Sequence, residues 1–295
     1  MPQITKAVIP CGGMGTRFLP ITKAVAKELL PVIDTPVLAH IVNEAIDSGI
    51  TDILIIYAPG KDAIKNYFLP NTDLVKKLRD SGNSSYADLV EKISSSARFS
   101  FDVQLKPLGS GDALLYAQKF TGKDPFCLAW GDDLIYADKP VMGQLINAYY
   151  KKQASILGVQ TILGDDISKY GVVDTGGVSL DNDRCAPCVG IVEKPTPAST
   201  APSQLAALGR YILTPDIYDL IKKTKPAQNG ELQLTDTFKF LCSQNKLWAY
   251  DFIGTRYDMG DKFGASVANV EYALRDKNFG DKFKNYLINR VDELK

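Results

Sequence analysis

Lys6-Ala7-Val8-Ile9-Pro10-Cys11-Gly12-Gly13-Met14-Gly15-Thr16-Arg17 is the stretch on which the reading of the fold turns. A short apolar run ends directly in a glycine cluster, and a cation follows. Such a run is a strand covered on both faces, as in a parallel sheet. The glycines let the chain take positive φ and let backbone N–H groups approach an anion unobstructed. Position 18 is Phe, so the turn is not GxGxxG, and it lacks the Lys-Ser/Thr ending of a P-loop. Neither a Rossmann dinucleotide site nor a Walker NTPase is supported. Read alone, the turn is a structural bend at least as readily as a phosphate cradle.

Working outward, Pro36 to Ile46 has helical periodicity and Ile53 to Tyr57 is a second apolar strand, which predicts a parallel strand–helix–strand crossover. Residues 60–98 are more polar and mostly helical in pattern, with a loop at 80–85. Further strands are predicted at 101–104, 125–130, 155–163, 171–173, 190–195, 210–213 and 247–253. Helices are predicted to open at 113–118 and to run over 141–152, 215–222, 263–274 and 281–291. The apolar positions of the last two, from Phe263 to Leu287, read mostly as core. This alternation predicts an α/β fold: a Rossmann-like, mixed, mostly parallel central sheet flanked by helices.

Composition narrows the chemistry. The chain has 295 residues, with 34 Lys+Arg against 34 Asp+Glu, so no net basic field suits nucleic acid. A single histidine, His40, excludes any two-histidine metal site and leaves one candidate for a histidine-based nucleophile pair. The five cysteines are odd in number and sparse, and Cys185/Cys188 have CxxC spacing without a second pair. With no signal-peptide pattern at the N-terminus and no apolar run near the ~20 residues of a membrane span, a reduced, cytoplasmic setting and no membrane partner are expected.

Three cations follow the glycine turn: Arg17, Lys23 and Lys27. If residues 22–28 turn helically, Lys23 and Lys27 share a face at i, i+4. Cations beside a glycine loop suit a triphosphate, whose transfer needs charge neutralised as it moves to the leaving group. A solvated basic face is the plain alternative.

The segment Gly13-Met14-Gly15-Thr16-Arg17-Phe18-Leu19-Pro20-Ile21-Thr22-Lys23, continued by Lys27-Glu28-Leu29-Leu30-Pro31, resembles the signature of the sugar-nucleotide pyrophosphorylases. Within them it is similar to the bacterial UTP–glucose-1-phosphate uridylyltransferases. The resemblance continues in order through Gln104 with Gly109-Ser110-Gly111, Gly131-Asp132-Asp133, Tyr170-Gly171-Val172-Val173, Val192-Glu193-Lys194-Pro195, Leu208-Gly209-Arg210-Tyr211, Gly230 to Asp236, and Arg256-Tyr257-Asp258-Met259-Gly260. It covers roughly residues 4–275.

The resemblance implies a fold of the nucleotide-diphospho-sugar transferase type and transfer of UMP from UTP to glucose 1-phosphate, releasing pyrophosphate. It implies that Gly12, Gly13, Gly15 and Thr16 receive the nucleotide, with Glu28, Gln104, Gly109 and Gly111 completing its pocket. Arg17, Lys27 and Lys194 would be catalytic. Asp133, Gly171, Glu193, Lys194 and Gly209 would hold the sugar, and Asp132 and Asp258 a Mg²⁺ ion. One domain is expected over 1–275, with a nucleotide part over about 1–135 and a sugar part over about 136–260. A C-terminal helix over 276–295 would contribute to a homodimer or homotetramer. Another nucleotide such as dTTP, another sugar 1-phosphate, or a non-catalytic regulatory relative are the alternatives. Three departures stand out: Cys11-Gly12 where Ala-Ala is common, Ala26 for Pro, and Asp112 where the family pattern has His.

Overall fold

The computed structural model describes residues 3–294. Met1, Pro2 and Lys295, to which the readings of the N-terminus and of the C-terminal helix extend, lie outside the described residues. A ten-stranded sheet forms the centre. Eight strands run from one edge in the order Cys185–Pro187, Leu247–Asp251, Ser155–Thr161, Leu205–Leu213, Phe126–Ala129, Lys6–Cys11, Asp52–Tyr57 and Arg98–Val103. All point the same way except Cys185–Pro187 and Leu205–Leu213. Gly171–Asp174 and Gly190–Glu193 pair antiparallel, and Gly171–Asp174 joins the side of Leu205–Leu213.

Period-two alternation divides the sheet's side chains between two cores. From the first strand, Ala7, Ile9 and Cys11 pack with helices Val37–Asp47 and Val141–Lys152 on one face. Val8 faces the other side, with helices Ile217–Lys223 and Leu234–Ser243. The expected mixed, mostly parallel sheet between helical layers is therefore what the chain forms. A buried ion pair locks the antiparallel strand to the first helix: Arg210 Nη2 donates to Glu44 Oε2 at 2.7 Å, and the Arg210 side chain is fully enclosed.

Three expectations are corrected. The strand expected at 210–213 begins at Leu205, and its register shifts between Ala207 and Tyr211. Gly209 sits in that bulge, and a glycine there interrupts an apolar reading of the sequence. Residues 22–28 do not form a helical face; they make two separate 3₁₀ turns, Ile21–Lys23 and Lys27–Leu29. Ala26 between them is extended (ψ 135°), because Ala26 and Leu29 turn in toward the core. Lys23 consequently faces solvent. The C-terminal apolar positions are not mostly core: Phe263 is 79% and Tyr286 60% exposed. Helix Gly280–Leu294 packs on helix Lys262–Arg275.

Candidate active site

Two adjoining cavities open where the parallel strands end, which is where ligands bind in open α/β sheets. The smaller, about 480 Å³, is entered from the glycine turn after Lys6–Cys11. The larger, about 970 Å³, lies between strand Leu205–Leu213, the strand pair beside it and the segment around Arg256. Lys27, Ser110, Trp130, Asp132 and Gln233 line both and form the wall between them.

Gly12, Gly13, Glu28, Gln104 and Gly109 line the smaller cavity, as expected for one pocket. Lys61 ties its floor together. The Lys61 ammonium donates to Cys11 O at 3.0 Å, to Gly13 O at 2.8 Å and to both Glu28 carboxylate oxygens at 2.7 and 2.9 Å. Glu28 is therefore a buried brace of the glycine turn, its pKa pushed up by burial against the pull of Lys61. Lys61 escaped the sequence reading. Its place just past strand Asp52–Tyr57, beside the strand that bears the glycine turn, is the signal that could have found it.

Two of the nucleotide-set glycines land elsewhere. Gly15 lines the larger cavity with Thr16. Gly111 lines neither cavity, and its N–H donates to Leu232 O at 2.7 Å. Gly109 has φ +98°, and a Cβ there would stand 2.6 Å from Leu232 O. The close approach expected of these glycines is made to the chain's own 231–233 segment.

Every residue expected in the catalytic, sugar and metal sets lines the larger cavity: Arg17, Lys27, Asp132, Asp133, Gly171, Glu193, Lys194, Gly209 and Asp258. Lys27 Nζ contacts Asp132 Oδ2 in the dividing wall. Burial pulls the Lys27 pKa down, but the charge and hydrogen bond of Asp132 more than reverse it, so the ammonium is retained. Lys23, in contrast, lines neither cavity.

Adjacent strand residues normally face opposite ways, yet Glu193 and Lys194 both reach this cavity. The strand stops at Glu193, and Lys194 takes φ +47°, a left-handed conformation that turns its side chain back. Lys194 Nζ lies 3.3 Å from Glu193 Oε1 and is largely exposed.

Asp133 is enclosed, and its partner is Arg256, whose Nε donates to Oδ1 at 2.5 Å. Arg256 also donates to the Tyr170 hydroxyl at 3.0 Å. Burial lowers the Arg256 pKa, and Asp133, Tyr170 and Asp258 outweigh it, so the guanidinium is held charged. The Asp133 carboxylate rests against Gly209, where φ is +51° and a Cβ would fall 2.2 Å from Oδ2. Only glycine fits that bulge. Arg256 and Tyr170 were recognised as parts of sequence blocks but not as a network, because the Arg256–Asp133 pair spans 123 positions.

Asp132 and Asp258 present two carboxylates to one cavity, and among the described residues no group of three or more His, Cys, Asp or Glu forms a closed metal cage. That donor set fits Mg²⁺, which takes one or two carboxylates and completes its shell with water and phosphate oxygens. Asp258 Oδ1 also accepts the Gly260 N–H at 2.8 Å, while Arg17 Nη1 donates to Gly260 O at 3.1 Å, joining the first and last segments of the site.

Comparison with known proteins places the chain in a family. Residues 6–271 match the nucleotidyl transferase family model. A protein of Streptococcus pneumoniae named UTP–glucose-1-phosphate uridylyltransferase is 42% identical over 99% of this chain and 98% of its own length. A Bacillus subtilis protein of the same name is 38% identical over 99% of this chain and 100% of its own. A UDP-glucose pyrophosphorylase structure complexed with UDP-glucose superposes with a TM-score of 0.82 at 34% identity, covering 93% of this chain and 100% of that one. A UTP-bound UGPase from Acinetobacter baumannii gives 0.86 at 32% identity, covering 97% and 99%. With the family match running from the first strand of the sheet into helix Lys262–Arg275, this chain belongs to the nucleotidyl transferase family.

Proposed function

We propose that this enzyme transfers UMP from UTP to α-D-glucose 1-phosphate, giving UDP-glucose and pyrophosphate. The observation that carries this reading is the shared wall: one lysine–carboxylate pair, Lys27 and Asp132, borders both cavities. The base and ribose of UTP occupy the smaller cavity, the sugar phosphate the larger, and the α-phosphate lies at the wall. The chain is read as one domain with a nucleotide part over about 1–135 and a sugar part over about 136–260, both of which contribute residues to each cavity.

An oxygen of the sugar phosphate attacks the α-phosphorus in line. The bond from that phosphorus to the β-phosphate oxygen breaks, and pyrophosphate leaves with the electron pair. The nucleophile is already ionised, so no general base and no covalent enzyme intermediate are needed. His40 fits this, since it packs on Tyr272 with ring centroids 4.9 Å apart and lines neither cavity. Arg17 and Lys27 draw the triphosphate into place, and Lys194 brings in the second anion, so that like charges meet end to end. Asp132 and Asp258 would hold Mg²⁺, which supplies charge neutralisation on the phosphates. Arg256 pairs with Asp133 at the sugar, opposing the upward push of burial on that carboxyl's pKa, and Glu193 accepts from sugar hydroxyls.

No helix among the described residues is long and apolar enough to cross a membrane. All five cysteines are free and buried, which suits the reducing cytoplasm. The exposed apolar side chains Tyr286 and Ile288 of the C-terminal helix support a homodimer or homotetramer.

Pyrophosphate release, measured with Mg²⁺ across UTP, dTTP, CTP and ATP and several sugar 1-phosphates, tests the reading. UTP with glucose 1-phosphate is the expected best pair. A clear preference for dTTP would reassign the nucleotide, and inertness toward every pair would leave a non-catalytic role.

A further inference from the structure

Asp112, one of the three departures from the family pattern, does not itself line the smaller cavity but pairs with Gln104, which does. Gln104 Nε2 donates to Gly109 O at 3.2 Å and to Asp112 Oδ2 at 2.7 Å. Both partners only accept, since neither a backbone carbonyl nor a carboxylate has a proton to give. The Gln104 amide therefore has one satisfied orientation, with its NH₂ turned to Asp112 and Gly109. Its Oε1 is left on the Gly12 side, 3.6 Å from where a Gly12 Cβ would stand, in the wall of the smaller cavity. Among the described residues nothing donates to that oxygen. Gln104 is buried at 7% exposure, so a reversal would set Oε1 against two acceptors in a confined space. A histidine at 112 either donates or accepts and would not impose this orientation.

We infer that Asp112 is a positioning residue for base selection: by holding both amide protons of Gln104, it presents Oε1 to the nucleotide as a fixed acceptor. This rests on the reading that the base occupies the smaller cavity. A pyrimidine with an N3–H, such as uracil or thymine, donates to Oε1. Cytosine brings an acceptor at N3 and meets acceptor with acceptor. Uracil and thymine differ at C5, which Asp112 does not read through Gln104.

The experiment compares kcat/KM for UTP, CTP and dTTP, with glucose 1-phosphate and Mg²⁺, in the wild type, Asp112→Asn and Asp112→Ala. Asn keeps the shape of Asp but donates as well as accepts, which frees the amide to reverse. The UTP-to-CTP preference is expected to fall by about tenfold or more, chiefly through the nucleotide KM, while the UTP-to-dTTP ratio holds. An unchanged UTP-to-CTP ratio, or an equal loss for all three nucleotides, overturns the inference while leaving the proposed activity standing. A wild type that turns over none of them removes both. The unaltered protein gives a second reading that does not depend on a variant folding. N3-methyl-UMP, which has no N3–H, is expected to compete with UTP at least about tenfold more weakly than UMP, and equal competition overturns the inference.

Discussion

The two cavities are built on different physical terms. The smaller is braced by contacts of short and middle range: Gln104 reaches Gly109 and Asp112 across five and eight positions, and Lys61 reaches Glu28 and Gly13 across 33 and 48. The 231–233 segment closes on it from farther along the chain. The larger is made from charged side chains that are far apart in the chain. Lys27 meets Asp132 across 105 positions, Arg256 meets Asp133 across 123, and Arg17 meets Gly260 across 243. The larger cavity also needs the antiparallel strand Leu205–Leu213 to set its bulge at Gly209 against Asp133.

If that contrast is right, variants in the wall should affect both substrates and variants on either side only one. The largest effect is expected for Lys27→Met, which should lower kcat by about 10³-fold, as loss of a group stabilising transition-state charge does. Steady-state kinetics with both substrates varied would check it; a change confined to one KM would break the idea of a shared wall. Arg256→Leu leaves Asp133 enclosed and unpaired, and should cost about 3–5 kcal/mol in urea unfolding while raising the KM for the sugar phosphate. Unimpaired stability there would mean that Asp133 does not depend on Arg256. Lys194→Ala should reduce turnover about 10²-fold with the fold intact by circular dichroism and UTP binding retained. Near-normal turnover would remove Lys194 from the reaction. Lys61→Met frees the glycine turn and should raise the KM for UTP about tenfold without moving that for the sugar phosphate.

The smallest expected effect concerns pH. The Lys27 pKa lies above the ordinary lysine value, so its ammonium and the contact with Asp132 are fully present below the unfolded-state pKa and are lost only as pH rises through the higher folded one. No alkaline loss from this residue is expected below about pH 10. An alkaline limb near pH 8 that disappears in Lys27→Arg would contradict it.

The chain's own pattern determined the parallel half. The apolar run Ala7–Cys11 closing on Gly12 and Gly13, and the strand–helix–strand unit after it, follow from side-chain alternation and glycine freedom, which are local properties. The family resemblance collected the catalytic, sugar and metal candidates, and the structure brings them to one cavity. Tertiary structure alone decided their partners. It gave Glu28 to Lys61, Asp133 to Arg256 and Gly111 to Leu232, left Lys23 in solvent, and turned Lys194 back beside Glu193. The reason is physical: ion pairs and bulges depend on which distant segments are packed together, and neither composition nor periodicity carries that distance.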